Sequence, residues 1–334
     1  MLNVFHPVGL SPFDRPAIFS IVSSTPSADA RAYINAVLTD VESGTVLAAR
    51  RIRLDDEGSA LFDAAPVLRR ALRLQPAAGA TGLIASESRF LVQLTVNRIQ
   101  PDGSTGKDIK SLAVTLISTA SERSSTSLVG SRPAQRTIRY GESDMLTFYS
   151  AHDFTVTVEV HTPAGSSRSD YFWDGDKGLV TLRLRTSDFA PDTGRITVRL
   201  NDSIVAEYDV EPACGEGMRL AWRTESGIIE HHTFPVVARR TLVSGSRSVR
   251  LADGTCTLCG QAHTEAVLRS AYENAATVAA IAGAAASPQV WAVDSETGEY
   301  VSVEVVTQQV ATHSFGEPSD VELTVRPSQN RVRI

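Results

Sequence analysis

The chain has 334 residues, 42% hydrophobic and 21% charged, which is enough to bury cores in two or three domains. Lysine and arginine number 32 against 38 acidic residues, giving a formal net charge of −6. This balance argues against nucleic acid or an anionic membrane as a partner of the whole chain, because both require a positive field. Three cysteines, an odd number, argue against a disulfide framework.

The N-terminal residues carry no basic segment followed by an apolar run, so we expect no secretory signal peptide. The longest weakly polar stretch, residues 275–286, is about half the length that a bilayer-spanning helix needs. We therefore expect synthesis in the cytoplasm and no membrane insertion. Release from the cell would occur as part of a larger particle.

Residues 1–119 predict an N-terminal β-sandwich-like domain with one short helix. Two alternating runs, 32–39 and 45–54, flank a turn containing Gly44 and predict a β-hairpin. Asp63 is expected to cap a short helix with an apolar stripe on one face. Further strands are expected over 90–96 and 112–117.

Residues 134–212 predict a middle β-sandwich domain, preceded by an exposed loop over 120–133 that is rich in Ser, Thr and Arg. Short alternating runs separated by turn signals every ~8–12 residues are typical of a sandwich. The strands are expected over 145–149, 154–160, 179–184, 196–200 and 204–210.

Residues 213–334 predict a C-terminal α+β domain. Thr264 is expected to cap a helix that begins at Glu265, continues to Ala286 and ends before Pro288. The predicted fold is therefore mainly β, a multi-domain β-sandwich-like architecture whose β-rich C-terminal domain carries one or two helices. The C-terminal strands are expected over 218–223, 228–234, 290–293, 300–306 and 321–325.

The sharpest local motif is Cys256-Thr257-Leu258-Cys259, followed by His263. Two thiolates at this spacing can bind one tetrahedral zinc ion, and His263 and Cys214 are candidates for the other two ligands. No second pair at this spacing exists, and on a strand the two sulfurs would face opposite ways. We therefore favour structural thiols and expect no cofactor.

His231-His232 is a second candidate, with Glu230 or Glu225 as an acid/base partner. Adjacent strand residues face opposite ways, so the pair is not expected to bind one ion together. The chain also contains no nucleophile elbow, metalloprotease, P-loop or dinucleotide motif. One buried and one exposed histidine of a hairpin is the interpretation we favour, and no catalytic residue is assigned.

A third candidate is Tyr171-Phe172-Trp173 with Asp170, Asp174 and Asp176 beside it. On a loop, such aromatic and acidic side chains can stack on a sugar ring and bind its hydroxyls. The alternative, which we favour, is a turn whose aromatic side chains fill the end of a sandwich. Arginines are dispersed among acidic residues with no basic stripe, so we expect no nucleic-acid partner.

At both ends, the chain resembles tail-associated virion structural proteins of Bacteroidales prophages. The resemblance lies in Ala286-Ser287-Pro288-Gln289-Val290-Trp291 and the strands after it, in the hairpin at Arg219-Leu220-Ala221-Trp222, and in the opening hairpin with Leu61-Phe62-Asp63. It implies assembly without an active site, so no functional residue is transferred. Cys256 and Cys259 are not part of this pattern.

The leading hypothesis is a non-enzymatic structural component of a phage or phage-like tail particle. Its expected partners are copies of itself, as a homo-oligomer, and other particle proteins. A carbohydrate-binding or adhesion β-sandwich module centred on Tyr171, Phe172 and Trp173 is the alternative. A hydrolase using His231 or His232 is a third hypothesis, and it requires a pocket shared with a nucleophile or a metal.

Overall fold

The computed structural model describes residues 2–7, 11–25, 31–76, 78–100, 102–118, 125–251, 254–294, 297–310 and 318–328. Within these ranges the strands form five sheets, accompanied by two α-helices. This confirms the expected mainly β, multi-domain sandwich-like fold. Neither helix has the length and apolar character needed to cross a membrane.

The N-terminal unit is a sandwich of a three-stranded and a six-stranded sheet. Inward-facing side chains alternate along the strands, and Phe19, Phe62, Leu38 and Leu94 are fully buried between the two sheets. The first sheet has the order β1 (Leu2–Phe5), β3 (Ile18–Ser23) and β6 (Ser59–Asp63). The second has the order β2 (Ser11–Pro12), β10 (Val114–Ile117), β8 (Arg89–Arg98), β4 (Tyr33–Asp40) and β5 (Val46–Arg53), with β9 (Ile109–Lys110) paired to β8.

Helix α1 (Ala65–Ala71) follows β6 and closes this core through Leu68. Asp63 lies one residue before the N-cap position, which Ala64 occupies. Its Oδ1 accepts hydrogen bonds from the N–H groups of Ala65 and Ala17, each at 3.0 Å. The predicted capping residue therefore satisfies a helix N–H from a position one residue earlier.

The middle unit is a sandwich of a four-stranded and a five-stranded sheet, whose core includes Phe148, Val158, Leu182 and Tyr208. β7 comes from residues within the expected N-terminal domain, and β11 lies in the segment expected to be a loop. The four-stranded sheet has the order β11 (Ser127–Val129), β13 (Ser143–Ser150), β16 (Gly178–Arg185) and β7 (Gly82–Ala85). The five-stranded sheet has the order β12 (Gln135–Arg139), β18 (Ser203–Glu211), β17 (Arg195–Leu200), β14 (Phe154–Thr162) and β15 (Gly165–Trp173).

The C-terminal unit is a seven-stranded sheet on which helix α2 (Ala275–Ala286) packs through Val278, Ile281 and Ala284. The strand order is β20 (Ile229–Phe234), β19 (Met218–Arg223), β23 (Val290–Val293), β24 (Tyr300–Val305), β25 (Glu322–Pro327), β22 (Gly254–Arg269) and β21 (Val236–Leu251).

The predicted helix start at Glu265 is wrong. Ala266–Arg269 pair with β25, so this segment is strand, and the helix begins ten residues later with Asn274 as its N-cap. The Asn274 side chain accepts a hydrogen bond from the Thr277 N–H at 2.9 Å. Sheet pairing and burial of Val267 and Leu268 outweigh the local helix propensity.

The N-terminal and C-terminal units meet at the turn between β19 and β20. Ser88 Oγ donates to the Gly227 carbonyl at 2.5 Å, and Arg223 donates to the Leu72 carbonyl at 2.5 Å. Gly227 has φ +71°, and a Cβ there would contact Ser118 and Leu72. The turn therefore requires glycine both for its backbone conformation and for its close packing.

We predict that Gly227→Ala lowers the free energy of unfolding by about 1–3 kcal/mol more than Gly44→Ala does. Both glycines have positive φ, +71° and +68°, but Gly44 has open space where a Cβ would lie. Urea unfolding measures the loss of unfolding free energy in each variant. The difference between the two losses excludes the cost of placing alanine at a positive φ, because both variants share it. Equal losses would show that the Gly227 turn does not pack tightly on the N-terminal unit.

Candidate functional site: a buried charge cluster between two units

Asp144 lies at the centre of a buried charge cluster where the middle sandwich meets the C-terminal sheet. β13 holds it on the core-facing side of the strand, and 1% of its side chain is exposed. His231 Nδ1 lies 3.0 Å from Asp144 Oδ1, and the Tyr208 hydroxyl donates to Oδ2 at 3.0 Å. Guanidinium nitrogens of Arg132, Arg136 and Arg219 lie 3.6, 3.6 and 3.8 Å from its carboxylate.

Two further carboxylates, Glu142 and Glu230, complete the cluster. Arg219 donates to Glu142 Oε2 at 3.1 Å, and Thr233 donates to the same oxygen at 2.7 Å. The Ser131 N–H donates to Glu230 Oε1 at 2.6 Å. With His231 neutral, the three arginines described above balance these three carboxylates, which lowers the cost of burying so many charges.

Most of these contacts cross the junction between the two units. Arg132, Glu142 and Asp144 belong to the middle sandwich, whereas Arg219 and His231 belong to β19 and β20 of the C-terminal sheet. Arg132 also donates to the His231 carbonyl, and Arg219 Nε donates to the Ser143 carbonyl at 3.0 Å. The cluster therefore fixes the position of the two sheets relative to each other.

His231 connects Asp144 to Tyr300 of β24. Its Nδ1 faces the carboxylate, and its Nε2 lies 2.9 Å from the Tyr300 hydroxyl. A neutral imidazole fits this arrangement if Nδ1 carries the proton and Nε2 accepts from Tyr300. His231 and Asp144 are 0% and 1% exposed, whereas Tyr300, at the other end of this acid–histidine–tyrosine chain, is partly exposed.

Burial and neighbouring charges shift the pKa values in the cluster. Burial raises the pKa of Asp144, but the hydrogen bond from His231 and the charges of Arg219 and Arg132 outweigh it and hold the pKa well below 3.8. Burial lowers the pKa of His231 below 6.5, with partial compensation from Asp144. The pKa of His232 lies well below 6.5, because burial and the charges of Arg132 and Arg219 act together. The cluster thus holds Asp144 ionised and both histidines neutral at pH 7.

His232 faces a second environment, on the opposite side of β20. It packs edge-on against Phe234, and its Nε2 lies 3.8 Å from Glu273 Oε1 beside a pocket of 290 Å³. The structure thus buries both histidines, with 0% and 6% exposed, whereas one was expected at the surface. It also separates them, since each contacts a different carboxylate.

The candidate zinc ligands are not brought together among the side chains that the structure describes. Cys214 is an exposed free thiol, and His263 lies 3.2 Å from Glu265 on the same strand. The side chains of Cys256 and Cys259 lie outside the described residues, and the backbone pairs them with Val249 and Ser246. Among described residues, no group of three or more metal-binding side chains is found.

The aromatic candidates lie on β15, a strand, whereas a loop was expected. Alternation along the strand separates them. Phe172 is 63% exposed on the outer face, whereas Tyr171 and Trp173 pack against the core of the middle sandwich. The three rings therefore do not form one flat surface, and Phe172 is the ring available to a partner.

Asp144 is the residue that sequence reasoning missed, although its signal is present. In Asp144-Met145-Leu146-Thr147-Phe148, the period of two places Asp144 on the same face as Leu146 and Phe148, both buried. A carboxylate in a core-facing register requires a buried cation or hydrogen-bond donor. The arginines that provide it, Arg132 and Arg136 ahead of β13 and Arg219 on β19, carry no local pattern that marks them as its partners.

No family model matches the chain, and no curated protein matches it. Among solved structures, the native alpha-2-macroglobulin of E. coli gives a TM-score of 0.25 at 8% identity over 80% of this chain and 21% of that one. Its trypsin-activated form gives 0.26 at 9% identity over 96% and 21%. A mutant of Salmonella alpha-2-macroglobulin gives 0.21 at 12% identity over 94% and 29%. The chain thus spans less than a third of the length of these proteins, and the scores are too low to support an argument.

We predict that Asp144→Asn lowers the free energy of unfolding by about 3–5 kcal/mol, because it leaves buried arginines without their shared counter-charge. Asp209→Asn is the matched control, since its partner Arg195 is 58% exposed and such surface pairs contribute about 0–1 kcal/mol. Chemical unfolding of the two variants gives the comparison. A loss below about 1 kcal/mol for Asp144→Asn would contradict the proposed role of this carboxylate.

We predict that stability falls as the pH drops from 7 towards 5. The unfolded chain takes up protons at His231 and His232 near pH 6.5, whereas burial keeps both neutral in the folded state until lower pH. Each histidine contributes up to about 1.4 kcal/mol per pH unit within this window.

Other titratable groups facing these histidines are Asp144 and Tyr300 at His231, and Glu273 at His232. Burial raises the pKa of Glu273 above 4.5, so its proton uptake opposes the trend at the acidic end of the range. Thermal unfolding at several pH values measures the slope. His232→Gln should flatten it, and the same change at the exposed His152 should not. A slope unchanged by His232→Gln would count against the buried neutral state.

Proposed function

We propose that this protein is a non-enzymatic structural component of a phage or phage-like tail particle. It acts by binding copies of itself and other particle proteins through sheet edges. The proposal is based mainly on the closed state of the charge cluster. Asp144, His231 and Arg219 are each at most 5% exposed, and their contacts join two units of the same chain.

A catalytic centre of this composition would need an opening to substrate. Asp144 and Tyr300 face the two ring nitrogens of His231, and Arg132 donates to the main-chain carbonyl of the same residue. The pockets that border the cluster reach the arginines and Glu142 rather than the imidazole of His231. This arrangement is suited to holding a rigid shape.

The described surface offers several features suited to assembly. β15 pairs along one edge with β14, and among described strands its other edge has no partner. Exposed apolar side chains include Leu242 at 71% and, on one face of the three-stranded sheet, Phe5 at 57% and Leu61 at 66%, which both lie in register with Ser20. Sheet edges and exposed apolar groups of this kind favour contacts between chains.

Binding of carbohydrate is the second candidate, and the exposed Phe172 is the observation that favours it. A single exposed ring beside Asp170 and Asp174 is a modest sugar platform. Glycan-array binding lost in Phe172→Ala would favour this function. Trp173→Ala is the poorer variant, because that ring packs on the core and its loss would also disturb folding.

We predict that the purified protein forms a discrete oligomer or a filament whose proportion rises with concentration. Multi-angle light scattering and negative-stain electron microscopy provide the readout. A species that remains monomeric at the highest attainable concentration, alone and mixed with the proteins encoded beside it, would contradict the assembly function.

A further inference from the structure

The hairpin of β21 and β22 extends well beyond the sheet to which it belongs. Val236 pairs with Arg269 at the base of the hairpin, and Leu251 pairs with Gly254 near its tip. However, β25 pairs with β22 only over the range Ala266–Arg269. About twelve residues of each strand therefore continue as a two-stranded ribbon, roughly 40 Å long at about 3.3 Å per residue. We call residues 239–251 and 254–265 the ribbon.

A two-stranded ribbon without further cover is only marginally stable in water. Where its side chains are described, the ribbon is open to solvent on both faces. Thr241 and Leu242, which are adjacent and so face opposite ways, are both exposed, and Leu242 is 71% exposed. An element of this length with an exposed leucine is expected to gain stability from a partner.

The charge of the ribbon indicates the kind of partner. In the sequence, residues 239–265 carry four arginines, at 239, 240, 247 and 250, against two acidic residues, Asp253 and Glu265, whereas the whole chain carries a net charge of −6. The ribbon is thus complementary to the remainder of the same protein. Two ribbons side by side would instead place arginines together, which is unfavourable.

Apart from the ribbon itself, two long sheet edges among the described strands lack a partner and are candidates to receive it, β5 with eight residues and β15 with nine. β5 carries Arg50, Arg51 and Arg53, so it would repel a basic ribbon. β15 carries one arginine, which is paired with Asp170 at 3.0 Å, and it leads into a turn containing Asp174 and Asp176. Length and charge together favour β15.

The backbone of β15 is arranged to accept another strand. On the side of β14 that faces away from β15, the carbonyls of Thr155 and His161 accept hydrogen bonds from the N–H groups of Asn201 and Gly194, respectively. Main-chain groups alternate in direction along a strand, so the intervening residues of β14 direct their N–H and C=O groups towards β15. In the register of this pair, the N–H groups of the alternate β15 residues then point outward, away from β14, namely those of Ser166, Arg168, Asp170 and Phe172. The exposed Phe172 lies beside this outward edge.

We propose that the ribbon of one copy binds along the free edge of β15 of a second copy, extending its five-stranded sheet. This inference rests on the proposed assembly function and identifies its contact. Because the ribbon and β15 are different surfaces, the contact is head-to-tail, and repetition produces a closed ring or a filament. Leu242 and Phe172 supply apolar area, and the arginines supply orientation.

Two variants test the two surfaces separately. In the first, residues 244–262 are replaced by Asn-Gly, so that Val243 and His263, which pair in the ribbon, close on a two-residue turn. The second is Phe172→Pro, which removes an outward N–H from an edge strand, where proline is tolerated. Phe172→Thr keeps the N–H and is the matched control. Circular dichroism and thermal unfolding establish that each variant folds.

Light scattering of each variant alone should show monomers, and Phe172→Thr should retain at least part of the assembly. A one-to-one mixture of the two variants should form dimers and nothing larger, because one partner supplies the intact ribbon and the other the intact β15 edge. If the folded variants assemble like the wild type, or the mixture stays monomeric, the contact is wrong while self-assembly stands. If the wild type is itself monomeric, the proposed function fails and this inference fails with it.

Discussion

The need to neutralise Asp144 away from water governs how the middle and C-terminal units are joined. A carboxylate that is 1% exposed is unfavourable unless charges and donors surround it, and the middle unit alone supplies Arg132, Arg136 and Tyr208. Arg219 and His231 complete its surroundings from the C-terminal sheet. The two sheets therefore have one favourable relative position, the one in which all these groups meet.

A buried ion cluster is a poor source of net stability compared with an apolar interface, because desolvation offsets much of the attraction. Its advantage lies in specificity, since a displaced sheet would leave charges unpaired. The N-terminal unit is held differently, by β7 in the middle sandwich and by Arg223 on the Leu72 carbonyl. Together these contacts keep three units in fixed positions.

Much of the fold follows from period-two alternation, which located β4, β8 and β14 because each buries mainly one face. It failed where tertiary pairing decides. Ala266 to Arg269 have helix propensity but pair with β25, and residues 165–170 of β15 are exposed on both faces, so they show no alternation of apolar and polar side chains. For the site, the core-facing register of Asp144 was visible in the sequence. Its partners were not, because Arg132, Arg219 and His231 come from separate segments that only the folded chain brings together.

A double-mutant cycle between Asp144 and Arg219 tests most directly whether one charge network joins the two units. The free energy of unfolding is measured for Asp144→Asn, Arg219→Met, the double variant and the wild type. We predict a coupling energy of about 1–3 kcal/mol, with the double variant more stable than the sum of the single losses implies. Losses that add within about 0.5 kcal/mol would show that the two residues act independently and would contradict a shared network.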